Sequence, residues 1–226
     1  MKLSLWLALL WGGGAALSAA PASAPLTCGV CAQPITGKYF VLRETNNICA
    51  VCEKLPTRCA VYSLPVKDGF TKTADGRFLC QRDAPNVVLS EEEGRQLFTQ
   101  TARELSELSG GTLALRATPV NVQVLFNLDF TDNRSGTNAN GGMHRMGFSL
   151  SRRVGETFTH NVVLLNGQPR PQTRSTCAHE FGHLWLTENL PPARQLEADT
   201  REALCELLAF KLAAKRGDTA ETARIK

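Results

Sequence analysis

The five residues His179-Glu180-Phe181-Gly182-His183 are the stretch of this chain whose types and spacing suit chemistry best. An α-helix turns once every ~3.6 residues, so histidines four apart project from one face and can share a metal ion. Glu180, next to the first histidine, can then reach a water bound to that ion. This H-E-x-x-H spacing is the pattern by which zinc-dependent hydrolases activate water, the glutamate taking the proton. A pattern of five residues also arises on ordinary polar helices, so the elements around it must carry part of the argument.

Such a zinc centre needs a third protein ligand and one open position. Glu202, in the stretch ADTREALCELLAF, is far enough downstream for one helix to end, a turn to form and a second helix to return. Asn189-Leu190-Pro191-Pro192 supplies the turn, because two prolines cannot continue a helix. The spacing of Leu196, Leu204, Leu207, Leu208 and Phe210 predicts a second helix starting near Arg194. Glu206 follows Glu202 by one turn and can accept the remaining ring N–H of a ligand histidine. Asp199, Glu197 and Glu188 compete with Glu202 for the ligand position. The longer pattern H-E-x-x-H-x-x-G-x-x-H is absent, since Leu186 and Asn189 stand where it needs glycine and histidine. The site therefore reads as the glutamate-ligand class, the gluzincins.

Cleavage of an amide also needs an electrophile beside the metal for the developing oxyanion. The chain has two tyrosines, Tyr39 and Tyr62, both in its cysteine-rich part. That leaves His144, after a glycine-rich loop at the start of a strand, and His160, with Arg170 and Arg174 behind them. His144 is the candidate catalytic partner of Glu180; the competing reading of either histidine is an ordinary surface side chain.

Several elements must position these residues. Ser90 and Glu93 form a capping box, and the helix they open carries Leu97, Phe98, Ala102, Leu105 and Leu108 before Gly110-Gly111. Alternation in 121–130 predicts a strand, 143–151 a second, and 158–165 a third. Asn166-Gly167-Gln168-Pro169 then turns the chain toward the histidine helix, with Thr173 or Ser175 as its expected cap. Cys177 and Cys205 flank the ligands in sequence, either as a disulfide or as buried thiols. Trp185 reads as core.

Six of the eight cysteines precede this region. Cys28-x2-Cys31 and Cys49-x2-Cys52 present four thiolates suited to a closed tetrahedral zinc site. A shift of 31 residues repeats the spacing as Cys59, Tyr62, Cys80 and Asp83. This is a tandem duplication of a small unit, each copy a β-hairpin with one ligand pair before it and one at its end. The second copy keeps Cys59, Cys80 and Asp83 as ligands and loses one to Tyr62. Disulfides are the competing reading, because residues 1–24 look like an export signal: Lys2, then an apolar stretch, then Ala22-Ser23-Ala24. A thiol-redox role is weaker, with no thioredoxin-like βαβ pattern nearby.

A net charge of +4 with no long basic run gives no reason to expect nucleic acid. The expected organisation is an export signal over 1–24, a cysteine-rich zinc region over 25–85 and a zinc-peptidase domain over 86–226. The fold class is α+β: a LIM-like, treble-clef or zinc-ribbon hairpin module before a minimal gluzincin domain.

Both halves together resemble the DA-one-like family, the plant growth-restricting peptidases activated by ubiquitin. The resemblance rests on TRCAVYSLPVKDGFTKTADGRFLC, NVVLLNGQPRPQTRSTCAHEFGHLWL and EALCELLAF. It implies His179, His183 and Glu202 as zinc ligands, Glu180 as the base, and a LIM-type region ahead of them. Tyr62 departs from the family pattern, and its ubiquitin-interacting segments have no counterpart here. The expectation is therefore a periplasmic or secreted zinc metalloendopeptidase with one catalytic and one or two structural zinc ions. It would act on a protein or peptide substrate, without nucleic acid, ubiquitin or a stable membrane anchor. The alternative is a non-enzymatic LIM-like interaction protein with a structural or inactive metal site.

Overall fold

The computed structural model describes residues 25–42, 46–116, 119–126, 146–191, 194 and 196–225. Residues 1–24, expected from the sequence to be an export signal, and His144 lie outside the described residues.

The cysteine-rich part is two copies of one design. In the first, β1 (Tyr39–Leu42) pairs antiparallel with β2 (Asn46–Cys49), and the short helix α1 (Ala50–Glu53) follows. In the second, β3 (Phe70–Lys72) pairs antiparallel with β4 (Phe78–Cys80), and a 3-10 turn, Ala84–Asn86, follows. The repeat read from the sequence holds at the level of single bonds. Tyr39 faces Cys49 as Phe70 faces Cys80. The bridge Thr27–Pro34 recurs as Arg58–Pro65. Ala32 and Ser63 both adopt left-handed backbone, at φ 58° and 56°. Cys49 N–H donates to Cys28 Sγ at 3.4 Å, and Cys80 N–H to Cys59 Sγ at 3.4 Å. The first copy buries Cys28, Ile48 and Cys52, and the second Cys59, Leu64, Val66, Leu79 and Asp83. A core so small needs a cross-link or metal to persist.

The remaining chain builds one core. Helix α2 (Glu91–Leu108) begins with the expected capping box: Ser90 Oγ accepts from Glu93 N–H, and the Glu93 carboxylate accepts from Leu89 N–H. Leu97, Phe98 and Leu105 form its buried stripe, whereas Leu108 is exposed. A three-stranded sheet follows with the order β5-β7-β6: β5 (Asn121–Leu125), β6 (Gly147–Val154) and β7 (Thr157–Leu165). β7 runs parallel to β5 and antiparallel to β6, so β6 is an edge strand.

Helix α3 (Arg170–Asn189) carries the histidines and lies between the sheet and helix α4 (Ala198–Lys215); α5 (Thr219–Ile225) closes the chain. Cys177, Ala178, Phe181 and Leu184 of α3 meet Val162 and Leu164 of β7 and Ala209 and Leu212 of α4 in one buried cluster. Trp185 packs against the same cluster, and its indole N–H donates to Thr112 O.

Two helix starts differ from expectation. α3 begins at Arg170 with Pro169 as its cap, and Thr173 and Ser175 are interior; the Thr173 hydroxyl bonds back to Pro169 O. Two prolines at 169 and 171 fix φ near the helical value, so no side-chain cap is required. α4 begins at Ala198 rather than near Arg194, which instead closes a turn onto Pro191 O. Among the described residues, no helix is long and apolar enough to cross a membrane.

The turn that launches α3 is clamped. Gly167 takes φ 78°, the left-handed value that glycine accommodates. Gly167 N–H donates to Val88 O, Val88 N–H to Gln168 O, and the Asn166 amide to Leu89 O. From the second hairpin, the Arg77 guanidinium donates to Asn166 O at 2.8 Å.

Candidate metal centres and the adjoining cleft

Three groups of donor atoms converge, each within 4.8 Å of one another: Cys28, Cys31, Cys49 and Cys52; Cys59, Cys80 and Asp83; and His179, His183 and Glu202. These are the three sets expected from the spacing.

The third set comes from two helices. His179 and His183 leave one face of α3 a turn apart, and their Nε2 atoms are 3.1 Å apart. Glu202, on the first turns of α4, places Oε2 3.2 Å from His179 Nε2 and Oε1 3.5 Å from His183 Nε2. A tetrahedral zinc with bonds of about 2.1 Å holds neighbouring donors about 3.4 Å apart, the size of the separation between the two rings and of each ring from its nearer Glu202 oxygen. Burial and the neighbouring His179 hold His183 below the usual histidine range, against the pull of Glu202. A neutral imidazole is the form that ligates metal. Glu206 Oε1 stands 3.6 Å from His179 Nδ1, on the side away from the ligand atom. Of the competing carboxylates, Glu188 faces His160 instead, and Glu197 caps α4.

Glu202 reaches the histidines because α3 and α4 touch at Gly182. A Cβ there would lie 2.9 Å from Cys205 Sγ and 3.2 Å from Cys205 Cα. Glycine between the two histidines is what permits this approach. Cys177 and Cys205 are buried free thiols; burial pushes both up, Cys205 to about 12.

Glu180 leaves α3 on its sheet side and is buried, with its Oε2 accepting from Ser149 Oγ on β6 at 2.8 Å. A cleft of about 820 Å³ opens between β6 and the helices. Ser149, Ser151, His179, Glu180, His183 and Glu202 all line it. The three converging donors and the neighbouring carboxylate thus share one solvent-reached space.

The other polar candidates are elsewhere. His160 is buried at 1% exposure rather than on the surface. Its Nε2 is 2.9 Å from Glu188 Oε1 and its Nδ1 2.8 Å from Ser151 Oγ. Glu188 Oε2 accepts from Arg116 N–H at 2.6 Å. Arg170 pairs with Glu93 and Arg174 meets Gln100, both outside the cleft lining. The residues that sequence reasoning missed here are Ser149 and Ser151. Their signal was alternation in β6, which puts both on the face of Gly147, toward α3.

At the first cysteine site Cys31 Sγ and Cys49 Sγ are 4.0 Å apart, near the ~3.8 Å expected for a tetrahedral zinc with thiolate ligands. Burial raises the Cys28 thiol, but N–H groups of Cys49, Cys31 and Val30 outweigh it and bring it down to about 6. Backbone N–H donors aimed at one sulfur stabilise a thiolate, the form that binds metal. Burial and hydrogen bonds from the other three push Cys52 up. At the second site Asp83 Oδ2 lies 3.2 Å from Cys59 Sγ and 3.1 Å from Cys80 Sγ. Burial and then Asp83 push Cys80 up to about 11. Tyr62 packs against the first cluster, under the Arg82 guanidinium.

An α+β domain with a two-histidine, one-carboxylate centre beside a cleft is of the zinc-metallopeptidase-like class. Residues 141–216 match the model of the IrrE N-terminal-like domain family, Peptidase_M78, a match that fits a metallopeptidase-like or regulatory domain. No curated protein and no solved structure matches the chain. The cysteine clusters and the family match both fit zinc.

Proposed function

We propose that this chain is a zinc-dependent peptidase that hydrolyses peptide bonds with Glu180 as general base. The observation that carries the reading is the meeting of His179, His183 and Glu202 at tetrahedral spacing, with the Glu180 carboxylate in the same cleft. A zinc ion held there supplies Lewis acidity and lowers the pKa of a water toward neutrality. Ser149 fixes one carboxylate oxygen of Glu180 and so orients it toward the cleft. Glu180 takes the proton of the attacking water and passes it to the leaving amine. Glu206 steadies the His179 ring. His144 is the electrophile in this proposal, as the sequence suggests. Among the described residues β6 is the last strand of the sheet and lines the cleft, which favours an extended protein or peptide substrate added beside it.

The finer assignment is part of the same proposal: a gluzincin-type domain preceded by a LIM-like module, related to the DA-one-like peptidases and exported to the periplasm or outside the cell. The first cysteine site holds a structural zinc, and Cys59, Cys80 and Asp83 are the donors the second site offers, so the structural ions number one or two.

The test is casein hydrolysis by the purified zinc-loaded chain and by Glu180→Gln. The variant keeps the three ligands, so it should bind zinc as the wild type does and lose at least about 100-fold in rate. Equal rates in both would leave the non-enzymatic reading, an interaction protein with a structural metal.

A further inference from the structure

The buried pair His160–Glu188 has no part in the mechanism above, yet it ends in the cleft. β6 and α3 run side by side there. A Cβ on Gly147 would meet the Thr176 side chain at 2.7 Å, and Ser149 Oγ bonds Glu180. Ser151 is the next residue on that face of β6, and it connects through His160 to Glu188, two turns beyond Glu180. A strand advances ~6.6 Å over two residues and a helix ~6 Å over four. Ser149 and Ser151 therefore flank the metal site along the cleft, one at the level of Glu180 and one a turn further.

The direction of the hydrogen bonds sets what Ser151 offers. Glu188 Oε2 already accepts from Arg116 N–H. An ionised carboxylate is an acceptor at both oxygens, so His160 Nε2 carries the ring proton and donates it. With the ring neutral, His160 Nδ1 is the remaining lone pair, and the Ser151 hydroxyl donates to it. With its hydrogen committed to the wall, Ser151 Oγ turns its own lone pairs to the cleft. We infer that Ser151 holds the substrate by accepting a hydrogen bond from a backbone N–H of the bound peptide, and that His160 and Glu188 are positioning residues that fix it as an acceptor.

The same three residue types in a row also suit a serine nucleophile with a histidine base. Burial speaks against it. A base must hand its proton to the leaving group, and His160 is 1% exposed with both nitrogens engaged inside the wall. Glu180 already provides that function at the metal.

This inference rests on the peptidase reading, and the experiment separates the two. Steady-state hydrolysis of fluorescein-labelled casein is compared for the zinc-loaded wild type, Glu180→Gln, Ser151→Ala, Ser151→Thr and His160→Ala. Ser151→Ala should raise KM about five- to tenfold with kcat within about twofold, the pattern of an interaction made equally in ground and transition states. Ser151→Thr keeps the hydroxyl and should stay close to wild type. His160→Ala should raise KM as Ser151→Ala does, and the double variant should be no worse than either alone. Should His160→Ala fail to fold, seen as loss of its cooperative unfolding transition, the Ser151 pair decides. An unchanged KM in Ser151→Ala, a fall confined to kcat, Ser151→Thr behaving like Ser151→Ala, or labelling of Ser151 by a fluorophosphonate would each overturn the assignment. If Glu180→Gln is as active as wild type, or the wild type cuts no casein, the peptidase reading itself falls and this assignment with it.

Discussion

Gly182→Ala tests whether the contact between α3 and α4 is what brings Glu202 to the histidines. The added methyl would sit 2.9 Å from Cys205 Sγ, 3.2 Å from Cys205 Cα and 3.2 Å from Leu208 Cδ1. Carbon contacts settle at about 3.5–4.0 Å. The sulfur and the leucine tip can rotate aside, but Cys205 Cα is backbone, so α4 itself must retreat by some tenths of an ångström. Glu202 lies one turn before Cys205 on that helix and moves with it. Metal–ligand distances tolerate only about 0.2 Å, a shift of the same size. We expect a roughly tenfold loss of zinc affinity at this centre, about 1.4 kcal/mol.

Stability responds separately. Alanine in a helix interior gains about 0.5–1 kcal/mol over glycine, whereas overpacking a tight contact costs about 1–3 kcal/mol. The net loss is about 1 kcal/mol, or about 2–4 °C in Tm for a chain of this size. The assay is thermal unfolding with and without added zinc, together with chelator competition; the cysteine sites are the same in both proteins and cancel. Cys205→Ala in the Gly182→Ala background removes the nearest clashing atom and should recover part of the affinity. A Gly182→Ala chain that binds zinc as tightly as wild type and melts no lower would refute the idea that helix proximity sets the ligand geometry.

Arg77→Ala removes the guanidinium that ties the second hairpin to the turn before α3; it should cost about 1–2 kcal/mol in denaturant unfolding and leave zinc at the histidine site unchanged. Chelation removes the metal that the small cysteine-rich core needs, so mild alkylation should then modify Cys28, Cys31, Cys49, Cys52, Cys59 and Cys80 but spare Cys177 and Cys205, which stay buried where α3 and α4 meet; peptide mapping reads this directly. Ser90→Ala deletes the α2 cap and should cost about 1 kcal/mol. Glu93 is held below its ordinary 4.5, first by the Leu89 N–H against opposing burial and then by Arg170. A depressed carboxyl contributes stability that is present above its unfolded value and lost as pH falls through the folded one. Unfolding free energy should therefore drop as pH falls below about 4.5, and Glu93→Gln should flatten that slope.

The parts of the site that were legible in the sequence are those set by local periodicity. His179 and His183 share a face because a helix repeats, and Glu202 follows because the proline pair at 191 and 192 forces a return. The cysteine repeat was legible because duplication preserves spacing even where Tyr62 replaced a ligand. Helix starts were less so: Thr173 and Ser175 look like caps, but Pro169 and Pro171 fix the backbone earlier and win. The Ser151–His160–Glu188 chain was hidden for a different reason. Its members come from β6, β7 and the end of α3, and they meet only through the register that sets Ser151 opposite His160. One residue of slip would turn every side chain of β6 to the other face, and no local pattern fixes that register in advance. His160 read as a cleft or surface group because nothing in its neighbourhood announces the helix that buries it.

Helix α3 also explains why the chemistry and the core do not compete for the same residues. Its histidines face α4 and the cleft; Glu180 and Glu188, eight residues apart, face the sheet, where Ser149 of β6 and His160 of β7 receive them. Between these faces Cys177, Phe181 and Leu184 are buried to 1% exposure or less. A helix buried on two sides cannot rotate to relieve a misfit on either one, because any rotation that moved His179 would pull Glu180 from Ser149 and Glu188 from His160. His179, His183, Glu180 and the Ser151–His160–Glu188 chain are thus held at a fixed relation by one rigid element. The turn at 166–169 that launches this element is held by Arg77 of the cysteine-rich half and by the segment from Val87 to Leu89, so that half is tied to the start of α3 rather than to its histidines.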